Sequence, residues 1–186
     1  EQSALEDLLS IASDLTRNSA VRLAAAAAAG NIAESGLEPS ADRLARNTRT
    51  PLFVNQLCAV RLLARHSSDN ARQTLIELAG HVEPAVAAAA LQRLNGIDCS
   101  LVLPMAESAM QSSDPRIRRQ GATSVMKLPT AGLMPSLSQL LADQNPGVRR
   151  DVCEGLYQLA KLPELSESIR DAAQQVLEGD SWQGQE

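Results

Sequence analysis

Few residues in this chain are of a type and spacing that could do chemistry. His66 and His81 are its two histidines. Neither stands at a carboxylate spacing that builds a catalytic triad or a metal site, and both are read as residues near turns. Cys58, Cys99 and Cys153 form an odd set with no C-x-x-C and no short spacing. Neither a disulfide framework nor a zinc site is expected from them. G-x-S-x-G, the P-loop, G-x-G-x-x-G and H-E-x-x-H do not occur. Each of those motifs fixes a nucleophile, a phosphate or a metal at one point of a fold. The expectation is a chain that is not an enzyme, with no catalytic residue, no cofactor and no metal.

Arginine is the residue type that can recognise a ligand here. Of 17 basic residues all but Lys127 and Lys161 are arginine. Arg116, Arg118, Arg119, Arg149 and Arg150 cluster in the second half. A guanidinium fork binds a carboxylate or phosphate through two parallel hydrogen bonds. Arg116, Arg119 and Arg150 are therefore candidate binding residues for an acidic segment or a phosphate group. Glu154, one turn beyond Arg150, neutralises part of that charge. The net charge of −5 and pI near 5.1 disfavour a general nucleic-acid binder. No run of 18 apolar residues is present to cross a membrane. A protein partner is expected.

The elements that position these arginines repeat along the chain. Val21, Val54, Val86, Ile117 and Val148 are separated by 33, 32, 31 and 31 residues. Four residues beyond them stand Ala25, Cys58, Ala90, Gly121 and Val152. Eight beyond stand Ala29, Leu62, Leu94, Val125 and Leu156. Offsets of 0, 4, 5 and 8 share one helix face, so each anchor opens an amphipathic helix with a small-residue middle. Gly121 is expected where two helices approach closely. Cys58 and Cys153 fall on this stripe as inert core residues, while Cys99 sits at a helix start as a candidate exposed thiol. Pro51, Pro84, Pro115 and Pro146 precede four of the anchors, where a missing N–H costs the helix nothing. Asn18, Asp114 and Asn145 are candidate caps. Shorter amphipathic stretches lie between: 4–15, 40–46, 70–79, 101–110 and 133–142. Pro163 breaks the pattern, and 166–177 reads as a final helix.

Two segments carry a family resemblance. Asp114-Pro115-Arg116-Ile117-Arg118 with Gly121-Ala122 and Val125 resembles the second helix of a HEAT repeat. So does Asn145-Pro146-Gly147-Val148-Arg149 with Val152-Cys153 and Leu156. The short period is similar to that of the bacterial HEAT-like class found in phycobilin lyase subunits. Repeats four and five match best; repeat two departs most, with Asn55 in place of the arginine and a short preceding helix. The resemblance implies an all-α, right-handed α-solenoid of about five helical-hairpin repeats with a C-terminal capping helix. It also implies that Arg22, Arg118 and Arg149 form a structural ladder, pairing with acids of adjacent repeats; Asp114, Asp143 and Asp151 are the candidate partners. The function implied is a non-catalytic interaction scaffold, with a lyase-like or other modifying-enzyme subunit as the alternative. Residues 1–179 are assigned to the repeat domain and 180–186 to a polar tail, in which Trp182 is a candidate anchor. The chain opens at Glu1 without a Met and is read as trimmed or as one region of a larger protein. Odd cysteines lean towards a reducing, cytoplasmic setting.

Overall fold

Alanine, leucine and valine at helical spacing, with three aromatic residues in the whole chain, leave little from which to build a sheet. The computed structural model describes residues 2–33, 35–47, 53–163, 165 and 167–178, and these are 78% helical with no strand. Eleven α-helices follow one another among them. They are α1 (Gln2–Ser13), α2 (Ser19–Ile32), α3 (Glu38–Ala45), α4 (Val54–Leu62), α5 (Asp69–Ala79) and α6 (Pro84–Ile97), then α7 (Leu103–Met110), α8 (Pro115–Lys127), α9 (Met134–Gln139), α10 (Pro146–Lys161) and α11 (Glu167–Glu178). Short 3-10 turns flank α7 and α9. The anchor helices are α2, α4, α6, α8 and α10. Pro51, Ser166 and the tail 180–186 with Trp182 lie outside the described residues.

Local chemistry starts the helices where the sequence marks them. The Asn18 side chain accepts from the Ala20 N–H, Asp114 from that of Arg116, and Asn145 from those of Gly147 and Val148. Each bond satisfies a donor that has no partner inside its own helix, an arrangement that contributes ~1 kcal/mol per cap. Pro115 and Pro146 follow two of these caps in the first helical turn.

The helices form two compact units, Glu1–Ile97 and Asp98–Glu186. In the first, α1 packs on α2, α3 on α4 and α5 on α6, with α2, α4 and α6 side by side in one layer. In the second, α7 packs on α8, α10 packs on α11, and α8 lies beside α10. The stripe positions supply both cores: Ala25, Ala29, Cys58, Leu62, Ala90 and Leu94 in the first unit, and Val125, Val152 and Leu156 in the second. Gly121 sits against α7, where an added Cβ would lie 2.8 Å from the Ala106 carbonyl oxygen and 2.9 Å from the Ala109 Cβ. Gly30 plays the same part in the first unit: a Cβ there would run into the Arg61 carbonyl oxygen and lie 2.9 Å from that of Leu62.

The first repeat departs from the pattern at its anchor. Val21 is 46% exposed, and its neighbour Arg22 is buried instead. Adjacent helical residues point about 100° apart, so one of the two must turn away from α1. Arg22 takes the inward place because its guanidinium bonds a carbonyl at the end of that helix, described below. Cys153 is half-buried, on the edge of its stripe rather than inside it.

Candidate binding surfaces

The residue after the anchor performs one task in four of the five repeats. A helix ends with carbonyls that have no intrahelical donor, and this position supplies donors from the following helix. Arg22 Nε donates to the Ala12 carbonyl near the end of α1, at 3.0 Å. Arg118 Nη1 donates to the Ser112 and Ser113 carbonyls beyond α7, both at 2.9 Å. Arg149 Nη1 donates to the Asp143 and Gln144 carbonyls ahead of α10, at 2.8 and 3.3 Å. In the second repeat Asn55 and Gln56 take over, Asn55 donating to the Asn47 carbonyl just beyond α3 and Gln56 to that carbonyl and to the one of Ala45 at the end of α3. The repeat that looks weakest as a pattern thus fills the same role with amides. Ala87 in the third repeat has no donor to offer.

Two of these side chains also reach the next repeat. Arg22 Nη2 donates to the Asn55 side-chain oxygen, an amide where an acid was expected. Arg118 holds Asp143 by two parallel bonds, Nε to Oδ2 at 2.5 Å and Nη2 to Oδ1 at 2.7 Å. Burial pushes the Asp143 carboxyl up, but the Arg118 fork and the Asn145 N–H outweigh it and hold the group below its ordinary value. The Asp143 hydrogen bond in turn raises Arg118. Arg149 bonds backbone only among these contacts.

The candidate binding residues lie on the exposed side of α8 and α10. Arg119 is about half exposed and Arg150 more so. Both turn to one carboxylate: Arg119 Nη2 is ion-paired with Asp151 Oδ2, and Arg150 Nη2 lies 3.6 Å from Asp151 Oδ1. Arg116 pairs with Asp114 at 2.8 Å, within its own helix cap. The Arg116 hydrogen bond draws Asp114 below the ordinary carboxylate range. Asp114 and Asp151 therefore form ion pairs with the exposed arginines, while the charge of Asp114 also acts on Arg118. Carboxylate and arginine identities were legible in the sequence; which of three nearby acids meets which arginine depends on how α8 and α10 sit side by side.

His66 is a residue whose surroundings the sequence hid. It is buried, its Nε2 accepts weakly from the Leu37 N–H at 3.4 Å, and Glu38 Oε2 lies 3.9 Å away. Glu38 also accepts from Ser68 Oγ and the Gly36 N–H. Burial works to raise Glu38, but its own N–H, Ser68 and His66 hold it low. A separation of 28 residues between His66 and Glu38 exceeds any local spacing rule. The cluster ties the α2–α3 turn to the end of α4. His81 accepts from the Glu83 N–H inside a turn. Cys58 is buried, which pushes its thiol up, and burial followed by Glu154 does the same for Cys153. Cys99 is half-buried in a 3-10 turn.

Residues 133–162, which comprise α9, α10 and their connection, match the family model of the HEAT repeat. That segment is similar to a HEAT repeat. In it Arg149 is the residue that caps the turn and Val148, Val152 and Leu156 are its core stripe. Two solved structures, each described as the crystal structure of an engineered protein from the Northeast Structural Genomics Consortium, are similar over the whole fold. Both superpose with a TM-score of 0.54 over 94% of this chain, at 17% and 15% identity, and cover 97% and 95% of those proteins. At that identity the likeness concerns the fold alone. Among curated proteins none matches the chain. The comparisons do not extend the HEAT resemblance to phycobilin lyases. Among the described residues no helix is long and apolar enough to cross a membrane.

Proposed function

We propose that this HEAT-repeat chain is a non-catalytic interaction module that holds a protein partner, and that Arg116, Arg119 and Arg150 contribute to an acidic-segment binding surface. The observation that supports this is the convergence of Arg119 and Arg150, from neighbouring helices, on one carboxylate. Asp151 occupies the position a partner's carboxylate would take. Each guanidinium has five N–H donors, and pairing with Asp151 leaves Arg119 about half exposed and Arg150 more so. A second carboxylate entering from outside meets the two cations and Asp151, with Glu154 one turn beyond reducing the attraction, and salt weakens it further. Arg118 and Arg149 serve this surface indirectly, by fixing the turns ahead of α8 and α10. The partner acts in a reducing compartment, where Cys58, Cys99 and Cys153 remain thiols.

The test is partner capture from the source cell with the full chain as bait, followed by affinity measurement on the identified partner. Arg119→Ala combined with Arg150→Ala is expected to weaken the complex about tenfold or more and to flatten its salt dependence. A captured partner bound equally by parent and double variant, with the same salt dependence, removes this surface from recognition.

A further inference from the structure

The first unit divides its charge by layer. Helices α2, α4 and α6 contain no Asp or Glu, whereas α1, α3 and α5 carry Glu6, Asp7, Glu38, Asp42, Asp69 and Glu77. Between α4 and α6 the acid-free layer opens a groove of about 350 Å³. Its walls are the residues 3, 6, 7 and 10 positions beyond the anchors Val54 and Val86. Offsets 3, 6 and 7 form one stripe on each helix, and offset 10 continues it within α6 and, as Ala64, into the turn after α4. Leu57, Arg61 and Ala64 thus face Ala89, Arg93 and Gly96 in register. Among the five anchor helices α10 alone brings acids to these offsets, Asp151 and Glu154, and an arginine at offset 7 is found in α4 and α6 alone.

The two cations of the groove differ in preparation. Arg93 is fixed: Nε donates to the Leu63 carbonyl at 2.9 Å and Nη2 to that of His66 at 3.0 Å. Its Nη1 lies beside Gly96, 3.5 Å from where a Cβ would stand. Arg61 is exposed at the same level of the opposite wall. Between them Ala64, Ala89 and Gly96 leave a floor without bulk, and Leu57 is half-buried beside it. On α6 the stripe from Ala89 to Gly96 runs roughly 10 Å at 1.5 Å per residue, or two helical turns.

We propose that this groove docks an acidic amphipathic helix from a partner protein, with aliphatic side chains on the small-residue floor and carboxylates directed to Arg61 and Arg93. Charge selects the sign of the occupant, because an anionic segment meets two cations and no acid on the layer it touches. Shape selects a helix: two neighbouring helices leave a furrow between their ridges, and small residues on the floor let a third helix approach. The inference rests on the reading that the chain binds a protein partner, and it assigns a different surface from the Arg119–Arg150 pair.

The experiment uses the full chain and two labelled peptides of about 18 residues, one patterned with Leu and Glu at helical spacing and one with Lys in place of every Glu. Fluorescence anisotropy is expected to show the Leu/Glu peptide binding at least tenfold tighter than its Lys counterpart. Arg61→Glu should abolish that preference, and Arg61→Lys should keep most of it, since the exposed side chain contributes charge more than geometry. Equal binding by Arg61→Glu and the parent overturns the proposal. So does equal binding of both peptides, or competition by single-stranded DNA that ignores the leucines, which marks a general polyanion surface. Loss of the Leu/Glu peptide in the Arg119→Ala, Arg150→Ala double variant, with Arg61→Glu unaffected, overturns the groove and leaves the proposed function standing.

Discussion

The Arg118 guanidinium grips the Asp143 carboxylate through two bonds while its remaining nitrogen closes the turn after α7. One side chain thus joins a helix end to the next repeat. Both partners are largely shielded, at 14% and 4% side-chain exposure. Breaking a shielded pair leaves a charge without its partner, so Asp143→Asn and Arg118→Ala are each expected to cost ~3 kcal/mol in urea unfolding at neutral pH. An unchanged midpoint in both variants refutes a stabilising role for the pair.

The same pair sets a pH dependence. The folded Asp143 carboxyl titrates below its unfolded value, which is near 3.9. Its contribution is therefore present in full above the unfolded value and is lost as pH falls through the folded one. Parent protein should lose stability between neutral pH and about pH 3, and Asp143→Asn should lose less over the same interval. Parallel pH profiles for parent and variant count against the assignment.

Three glycines should rank by what a methyl group meets. Gly30→Ala strikes the Arg61 and Leu62 carbonyls, which are backbone, and should be the worst at roughly 2–3 kcal/mol. Gly121→Ala meets the Ala106 carbonyl and the Ala109 methyl; a gain of ~1 kcal/mol in helix propensity offsets part of the cost. Gly155→Ala meets the Met126 thioether, an unbranched end that can swing aside, and should be near neutral. Thermal melts of the three variants test the order, and a Gly155 variant less stable than the Gly30 variant contradicts it.

Arg22 is a buried cation held by an amide and a carbonyl. Arg22→Met keeps the apolar stem but leaves the Ala12 carbonyl and Asn55 side-chain oxygen without that donor. A loss of ~2 kcal/mol is expected, measured by urea unfolding, and Val21→Ala at the exposed neighbour should change stability by less than ~0.5 kcal/mol. Equal effects at the two positions place the inward face at Val21 after all.

Helix positions and their inward stripes were legible because they are short-range properties. A period near 31–33 residues, prolines in first turns and Asn or Asp caps act over a few residues of backbone, and they locate α2, α6, α8 and α10 to within a residue or two. The close approach at Gly121 followed from the same stripe. What the spacing does not contain is distance between helices. Arg22 turns inward and Val21 outward because a carbonyl at the end of α1 needs a donor, and only packing brings that carbonyl within reach. Asp151 rather than Glu154 meets Arg119 because α10 lies beside α8 at one particular rotation. Glu38 reaches His66, and Arg61 faces Arg93, across 28 and 32 residues of chain. Hydrophobic periodicity determines which side of a helix is buried. The partners of its polar side chains depend on the position and rotation of a neighbouring helix, and those are decided when the small residues of both pack together.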